Sequence, residues 1–248
     1  MNRQKLEKSA AGIVFSNYLS KLITLDDNSD KCNVIYHGSS SSLSGLVTKN
    51  EALERLGLPR ISLPNNDKYD TNNHYKKIAL AFGFLTATKG WDVFENMDIP
   101  PGWVIVLSHS KNHYSREIIY QKNLRDNKKI INLQKDFLSD DDLSLLMHAA
   151  DAVILPYKVC SASGVMFDAL AHGLPFVASN LPFFNEFAAH HLGILVKNRD
   201  PTEFSTALEI LDSSYSTYKQ AVENFKGQLD WKFIAQEHSK IYAKVVYG

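Results

Sequence analysis

The stretch AVILPYKVCSASGVMFDALAHGLPFVAS, residues 152–179, decides the fold. It begins with an unbroken apolar run ending at Pro156, the pattern of a strand buried on both faces. A small polar turn, Ser161–Gly164, then opens an amphipathic helical pattern that runs to His172. Gly173 and Pro175 stop that pattern, and PFVAS (175–179) is again strand-like. Strand, turn, helix and strand in this order make a parallel βαβ unit with a right-handed crossover. The turn has two readings. Its unpartnered backbone N–H groups and the helix dipole suit a phosphate, and small residues let one approach. Alternatively, serine simply caps the helix.

The same alternation extends in both directions. Strand-like runs are AGIVF (11–15), NVIYH (33–37), KIALAFG (77–83), WVIVLS (103–108), KIINL (129–133), AVILP (152–156), PFVAS (175–179) and GILV (193–196). Helical patterns cover 51–57, 89–96, 115–124, 140–150, 164–172 and 202–211. From Ser213 onward the chain reads as polar helix, with Trp231, Phe233, Ile234, Ile241, Tyr242, Val245 and Val246 as a packing stripe. The expected fold is α/β, a doubly wound parallel sheet of Rossmann-like type. Such sheets bind ligands beyond the carboxyl ends of their strands, so function is expected just after AFG, NL, ILP and VAS.

Composition bounds the function classes. The chain has 248 residues, 44% apolar and 22% charged, with zero formal net charge, as in ordinary globular proteins. A general nucleic-acid binder, which needs a positive patch, is disfavoured. Cys32 and Cys160 are far apart and form no CxxC pair, which points to a reducing cytoplasm. No apolar run approaches the ~20 residues of a membrane span. The patch AAGIVF (10–15) is too short to read as a cleaved leader. The serine-rich stretch 39–44 and SLPNNDKYDTNN (62–73) look like linker, which would leave residues 1 to about 40 as an edge piece.

Several residues carry candidate chemistry. Asp168, one turn along the helix from Ser163, could accept hydrogen bonds from two ribose hydroxyls; the plain alternative is a solvated or capping aspartate. Lys89, beside Gly90 in FGFLTATKGWDVF (82–94), could meet a phosphate or stay in solvent. HGSS (37–40) follows a strand like an oxyanion loop, yet the chain has no G-x-S-x-G elbow. His109 and His113 lack a third ligand at metal spacing, and NEFAAHH (185–191) departs from HExxH, so no metal site is expected.

AFGFLTATKGWDVF (81–94), DFLSDDDLSLLMHAADAVILPY (136–157), SASGVMFDALAHGLPFVASNLPFFNEF (161–187) and LGILVKNRDPTEFSTAL (192–208) occur in the order seen in retaining glycosyltransferases of family 4. The resemblance covers about residues 31–212, and the closing W…Y segment is similar to the family's final helix. It implies one half of a two-domain GT-B architecture, with residues 31–248 as the nucleotide-sugar-binding domain. Residues 1–30 then resemble the last strand and helix of an acceptor domain that is otherwise missing. Lys89 would bind the donor diphosphate, with Ser161, Ser163, Gly164 and Val165 offering backbone and hydroxyl donors. Asp168 would hold the ribose, and Glu186 would be structural. Base recognition would fall near Leu133 to Phe137.

Three positions depart from the family pattern. Cys160 stands where a sugar-binding glutamate is usual, Phe84 where an arginine is usual, and Asp168 shortens a second glutamate. The resemblance implies sugar transfer from a nucleoside diphosphate to an acceptor hydroxyl with retention, without a cofactor or metal. No residue is assigned as catalytic. The implied partners are the nucleotide-sugar donor and an acceptor-domain chain or a second copy, with at most peripheral membrane contact. The departures favour a second reading, a non-catalytic or regulatory subunit paired with a separate acceptor chain. An epimerase of similar two-domain architecture is a third.

Overall fold

The computed structural model describes residues 3–24, 29–39, 47–58, 77–110, 129–134 and 138–247. Two short strands, β1 (Gly12–Val14) and β2 (Cys32–Val34), pair in parallel as a small separate sheet. Helices α1 (Arg3–Glu7) and α2 (Asn17–Thr24) accompany it. This small sheet straddles residue 30. Helix α3 (Lys49–Arg55) follows and packs on the main body. It starts two residues before the expected 51–57 because Thr48 and Glu51 form a reciprocal capping box.

The main sheet holds β3 (Lys77–Phe84), β4 (Trp103–Ser110), β5 (Ile130–Gln134), β6 (Ala152–Leu155), β7 (Phe176–Ser179) and β8 (Gly193–Val196). Its order is β5-β4-β3-β6-β7-β8 with every pairing parallel, a doubly wound Rossmann-like sheet as the βαβ pattern requires. The strands are mostly apolar because both faces are covered, with polar residues such as Ser108 and Asn132 toward their carboxyl ends. Ile78, Leu80 and Phe82 of β3 enter one core, and Ala79 and Ala81 enter the other.

Helices α4 (Asp140–Ala149), α5 (Gly164–Ala171), α6 (Pro182–Ala188), α7 (Pro201–Ser213), α8 (Tyr215–Phe225) and α9 (Trp231–Tyr247) complete the described elements. Ser139 caps α4 by accepting from the Asp142 N–H at 3.1 Å, and three aspartates fill its first turn. Buried Phe167 of α5 meets Phe183 and Phe187 of α6 edge-on, at 6.0 and 5.3 Å between centroids. This aromatic contact fixes α5, which carries the Ser161–Gly164 turn.

Three expectations need correction or qualification. The helix expected over 89–96 is two short 3-10 pieces, Ala87–Lys89 and Trp91–Glu95, broken at left-handed Gly90. A Cβ on Gly90 would sit 1.8 Å from the Pro156 carbonyl oxygen, so close backbone approach overrides helix continuity there. The expected packing stripe of the final helix is mostly uncovered. Ile234 is buried, whereas Trp231, Phe233, Tyr242, Val245 and Val246 are exposed among the described residues. The helix expected over 115–124 lies outside the described residues.

A polar contact ties helix α2, beside the small sheet, to the main body. Glu186 of α6 accepts from the Asn17 N–H at 2.9 Å, the Asn17 Nδ2 at 2.8 Å and the Tyr18 N–H at 2.9 Å. Ser16 takes the next amide, Leu19, at 3.1 Å. The first turn of α2 is thus capped from another element, which gives Glu186 the structural role implied for it. Glu186→Ala is expected to cost about 1–2 kcal/mol and to speed amide exchange selectively within Asn17–Thr24. Exchange unchanged in that helix would contradict the capping role.

Candidate functional site

Strand β3 pairs with β4 along its whole length but meets β6 only through Ala79–Ala152 and Leu80–Val153. Beyond Leu80 the two strands part. The sheet order also reverses direction here, so their carboxyl ends flank the crevice where doubly wound sheets take ligands. The segment after β3 carries Lys89, and the segment after β6 carries Tyr157, Cys160 and the Ser161–Gly164 turn.

Lys89 is drawn inward. Gly83, at φ 130°, lies beside its stem, and a Cβ there would be in ordinary van der Waals contact with the Lys89 Cε at 3.9 Å. The Lys89 ammonium lies 3.9 Å from the centroid of the buried Tyr157 ring, a cation–π contact. Burial pulls the Lys89 pKa below its usual value, and the nearby Cys160 acts in the opposite direction. Burial also pushes the Cys160 thiol up to about 12, against a smaller pull from Lys89. Cys160 is therefore neutral at physiological pH, and the Lys89 charge has no carboxylate beside it at that position.

Ser163 is buried and caps α5, its hydroxyl oxygen accepting from the Met166 N–H at 3.2 Å. The capping reading of the turn holds, and it leaves part of the helix start open. The cap uses Ser163 on the third amide of the helix. The N–H groups of Gly164 and Val165 keep no hydrogen-bond partner among the described residues. Ser161 and Gly164 are exposed and Val165 is half-buried. Phe84, where an arginine was expected, is exposed and offers no charge.

Asp168 lies apart from this cluster, further along α5. It lines a cleft of about 240 Å³ with His37, Ser39, Ser144, His172 and Trp231. The Ser39 hydroxyl donates to its Oδ1 at 2.8 Å. Burial raises the Asp168 pKa, while the Ser39 hydrogen bond and the neighbouring His172 and His37 lower it and Asp140 adds to the rise. Among the described residues, His37 Nδ1, Ser144 Oγ and His172 Nε2 are buried without hydrogen-bond partners. Burial also lowers the His172 pKa, which keeps that ring neutral near pH 7. The cleft therefore offers an acceptor carboxylate and several unspent polar groups beside an indole, a lining suited to a polar ring compound.

Of the expected residues, the structure brings Lys89 together with Cys160 and Tyr157 in one cluster. The Ser163 turn stands on the Tyr157 side of α5 and Asp168 on the cleft side. Leu133 is described, but residues 135–137 of the expected base loop lie outside the described residues. His109 is a core residue edge-on to Trp91 at 5.7 Å, and His113 lies outside the described residues. Among the described residues no group of three His, Cys, Asp or Glu is arranged to hold a metal. Sequence reasoning passed over Tyr157, which directly follows ILP where function was expected. It also set aside HGSS once the hydrolase idea failed, yet His37 and Ser39 face Asp168.

The fold is a six-stranded parallel Rossmann-like sheet, and solved structures of several glycosyltransferases share it. Anabaena HepE solved with UDP aligns over 98% of this chain and 68% of its own, at TM-score 0.70 and 15% identity. Sucrose-phosphate synthase of Thermosynechococcus elongatus aligns over 98% and 60%, at 0.67 and 15%. Starch synthase IV of Arabidopsis thaliana, solved with ADP and acarbose, aligns over 99% and 58%, at 0.65 and 15%. More particularly, residues 109–213 match the family model of group 1 glycosyl transferases. An uncharacterized glycosyltransferase of Methanocaldococcus jannaschii is 27% identical over 144 residues, 56% of this chain. The chain spans 36% of that relative's length.

The raised Asp168 pKa has a thermodynamic consequence. A folded pKa above the unfolded value contributes stability below about pH 4, and that contribution is lost as pH rises through the folded pKa. Asp168→Asn keeps an acceptor for Ser39 but removes the buried charge. The variant is expected to gain stability on the wild type as denaturant melts move from acid to neutral pH. A loss over the same range would contradict the burial of this carboxylate.

Proposed function

We propose that the chain is the donor-binding domain of a retaining glycosyltransferase of family 4, taking a sugar from a nucleoside diphosphate to an acceptor hydroxyl. The observation that carries this is the placement of Lys89 and the open Gly164 and Val165 amides at the parting carboxyl ends of β3 and β6. The solved HepE structures of the same fold hold UDP or UDP-glucose, which supports a nucleotide-sugar as the ligand class.

In this reading the bond from the anomeric carbon to the diphosphate oxygen breaks, a bond to the acceptor oxygen forms, the acceptor hydroxyl proton is released, and the diphosphate gains charge. Lys89 and the first turn of α5 meet that charge with donors already in place, without a metal. Burial makes the lone ammonium costly, and an arriving anion restores its stability. Asp168 accepts from the ribose hydroxyls and exchanges its Ser39 contact for them. The acceptor side belongs to a second domain, of which residues 1–30 are read as the last strand and helix. A cytoplasmic location is part of the proposal and rests on the two unpaired thiols.

One observation favours the second reading, a nucleotide-binding subunit without transfer activity. Cys160 presents a neutral thiol where the resemblance implies a sugar-gripping carboxylate.

Calorimetry with uridine, guanosine and adenosine diphosphates is expected to show binding by at least one. Lys89→Ala is expected to weaken that diphosphate about tenfold or more and leave the matching nucleoside little changed. No binding by any of the three at millimolar concentration, or equal losses for diphosphate and nucleoside, would sink the reading. Binding without transfer or hydrolysis of the sugar donor, when an acceptor domain is supplied, would select the subunit.

A further inference from the structure

We propose that Arg199 is a positioning residue for the diphosphate subsite, clamping the Lys89 loop to the strand end that feeds the Ser161–Gly164 turn. The proposal rests on the donor-site reading above. Arg199 comes from a third element, the 3-10 segment Lys197–Arg199 after β8. Its Nε donates to the Pro156 carbonyl at 2.8 Å, at the mouth of the segment carrying Tyr157 and Cys160. Its Nη2 donates to Asp92 Oδ1 at 2.7 Å and to the Gly90 carbonyl at 3.3 Å, next to Lys89. One planar guanidinium therefore holds both sides of the crevice, which a flexible ammonium cannot do with the same geometry.

Other features serve the same junction. The Lys158 N–H donates to the Thr88 carbonyl at 2.9 Å, and the Lys158 ammonium lies 3.6 Å from the same Asp92 carboxylate. Gly90 lets the two backbones touch, with Pro156 and the Arg199 Nη2 filling the space a Cβ would take. Asn198 and Arg199 are both left-handed, at φ 52° and 54°, a conformation non-glycine residues rarely adopt. That local strain is what directs the guanidinium back over the crevice, and the bonds it makes there offset it. Arg199 touches no reacting atom in this scheme. It acts through Lys89, whose ammonium must stand at a set distance from the α5 amides for both to reach one diphosphate.

Arg199→Met removes the fork and keeps the aliphatic stem. In the 248-residue chain it is expected to weaken uridine diphosphate, or whichever diphosphate the wild type binds, about tenfold while the nucleoside changes little. In a Lys89→Ala background the same substitution is expected to cost less than about twofold, because its effect runs through Lys89. Wild-type affinity in Arg199→Met, equal loss for nucleoside and diphosphate, or an undiminished loss without Lys89 would each overturn the proposal. Amide exchange gives a readout independent of ligand. The Lys158 N–H should exchange faster in Arg199→Met, and an unchanged rate means there is no clamp. If the wild type binds no nucleoside diphosphate, the donor-site reading falls and the exchange result alone decides the clamp. Should Arg199→Met fail to fold, Arg199→Lys, which keeps charge without the fork, carries the same comparisons.

Discussion

The parting of β3 and β6 beyond Leu80 is the constraint on which the rest depends. A parallel sheet built with right-handed crossovers and covered by helices on both faces must reverse its strand order somewhere, and at that point two loops leave in opposite directions. Here those loops carry every group assigned to a diphosphate. The two strands flanking the gap are held from their other sides, β3 by pairing with β4 along its whole length and β6 by pairing with β7 from Val153 to Leu155. The crevice is thus a property of topology, and the side chains only give it chemical character.

That character comes from polar groups held against their solvation preference. Lys89 is partly desolvated over an aromatic face, Cys160 is kept neutral, and Asp168 is raised by burial. Burial is costly to the free protein for Lys89 and Asp168, whereas the Cys160 thiol is neutral near pH 7 with or without burial and carries no such cost. The surrounding structure absorbs the cost through apolar cores on both faces of the sheet and the Phe167–Phe183–Phe187 contact behind α5. With Cys160 neutral, no negative charge stands at that position beside Lys89.

Much of this was legible in the residues. Continuous apolar runs such as AVIL and WVIVL located strands correctly because burial on both faces leaves no polar alternation. The βαβ unit at 152–179 placed the turn at a helix start, where the structure has it. Local pattern failed where long-range contact decides conformation. Gly90 is left-handed because Pro156 lies against it, and Arg199 matters through carbonyls far away in sequence. The cleft around Asp168 is assembled from residue 37 to residue 231, a proximity that no spacing rule reveals. Helix α6 went unread because its phenylalanines sit in a segment too short for a clear helical period, though Pro182 at its first position was a usable signal.

The most direct test of the account is a crystal structure of the chain with a bound nucleoside diphosphate. The account predicts phosphate oxygens at about 3 Å from the Lys89 ammonium and from the Gly164 or Val165 amides, with the ribose hydroxyls on Asp168. A nucleotide bound elsewhere, or one whose phosphates avoid the crevice between β3 and β6, would contradict it.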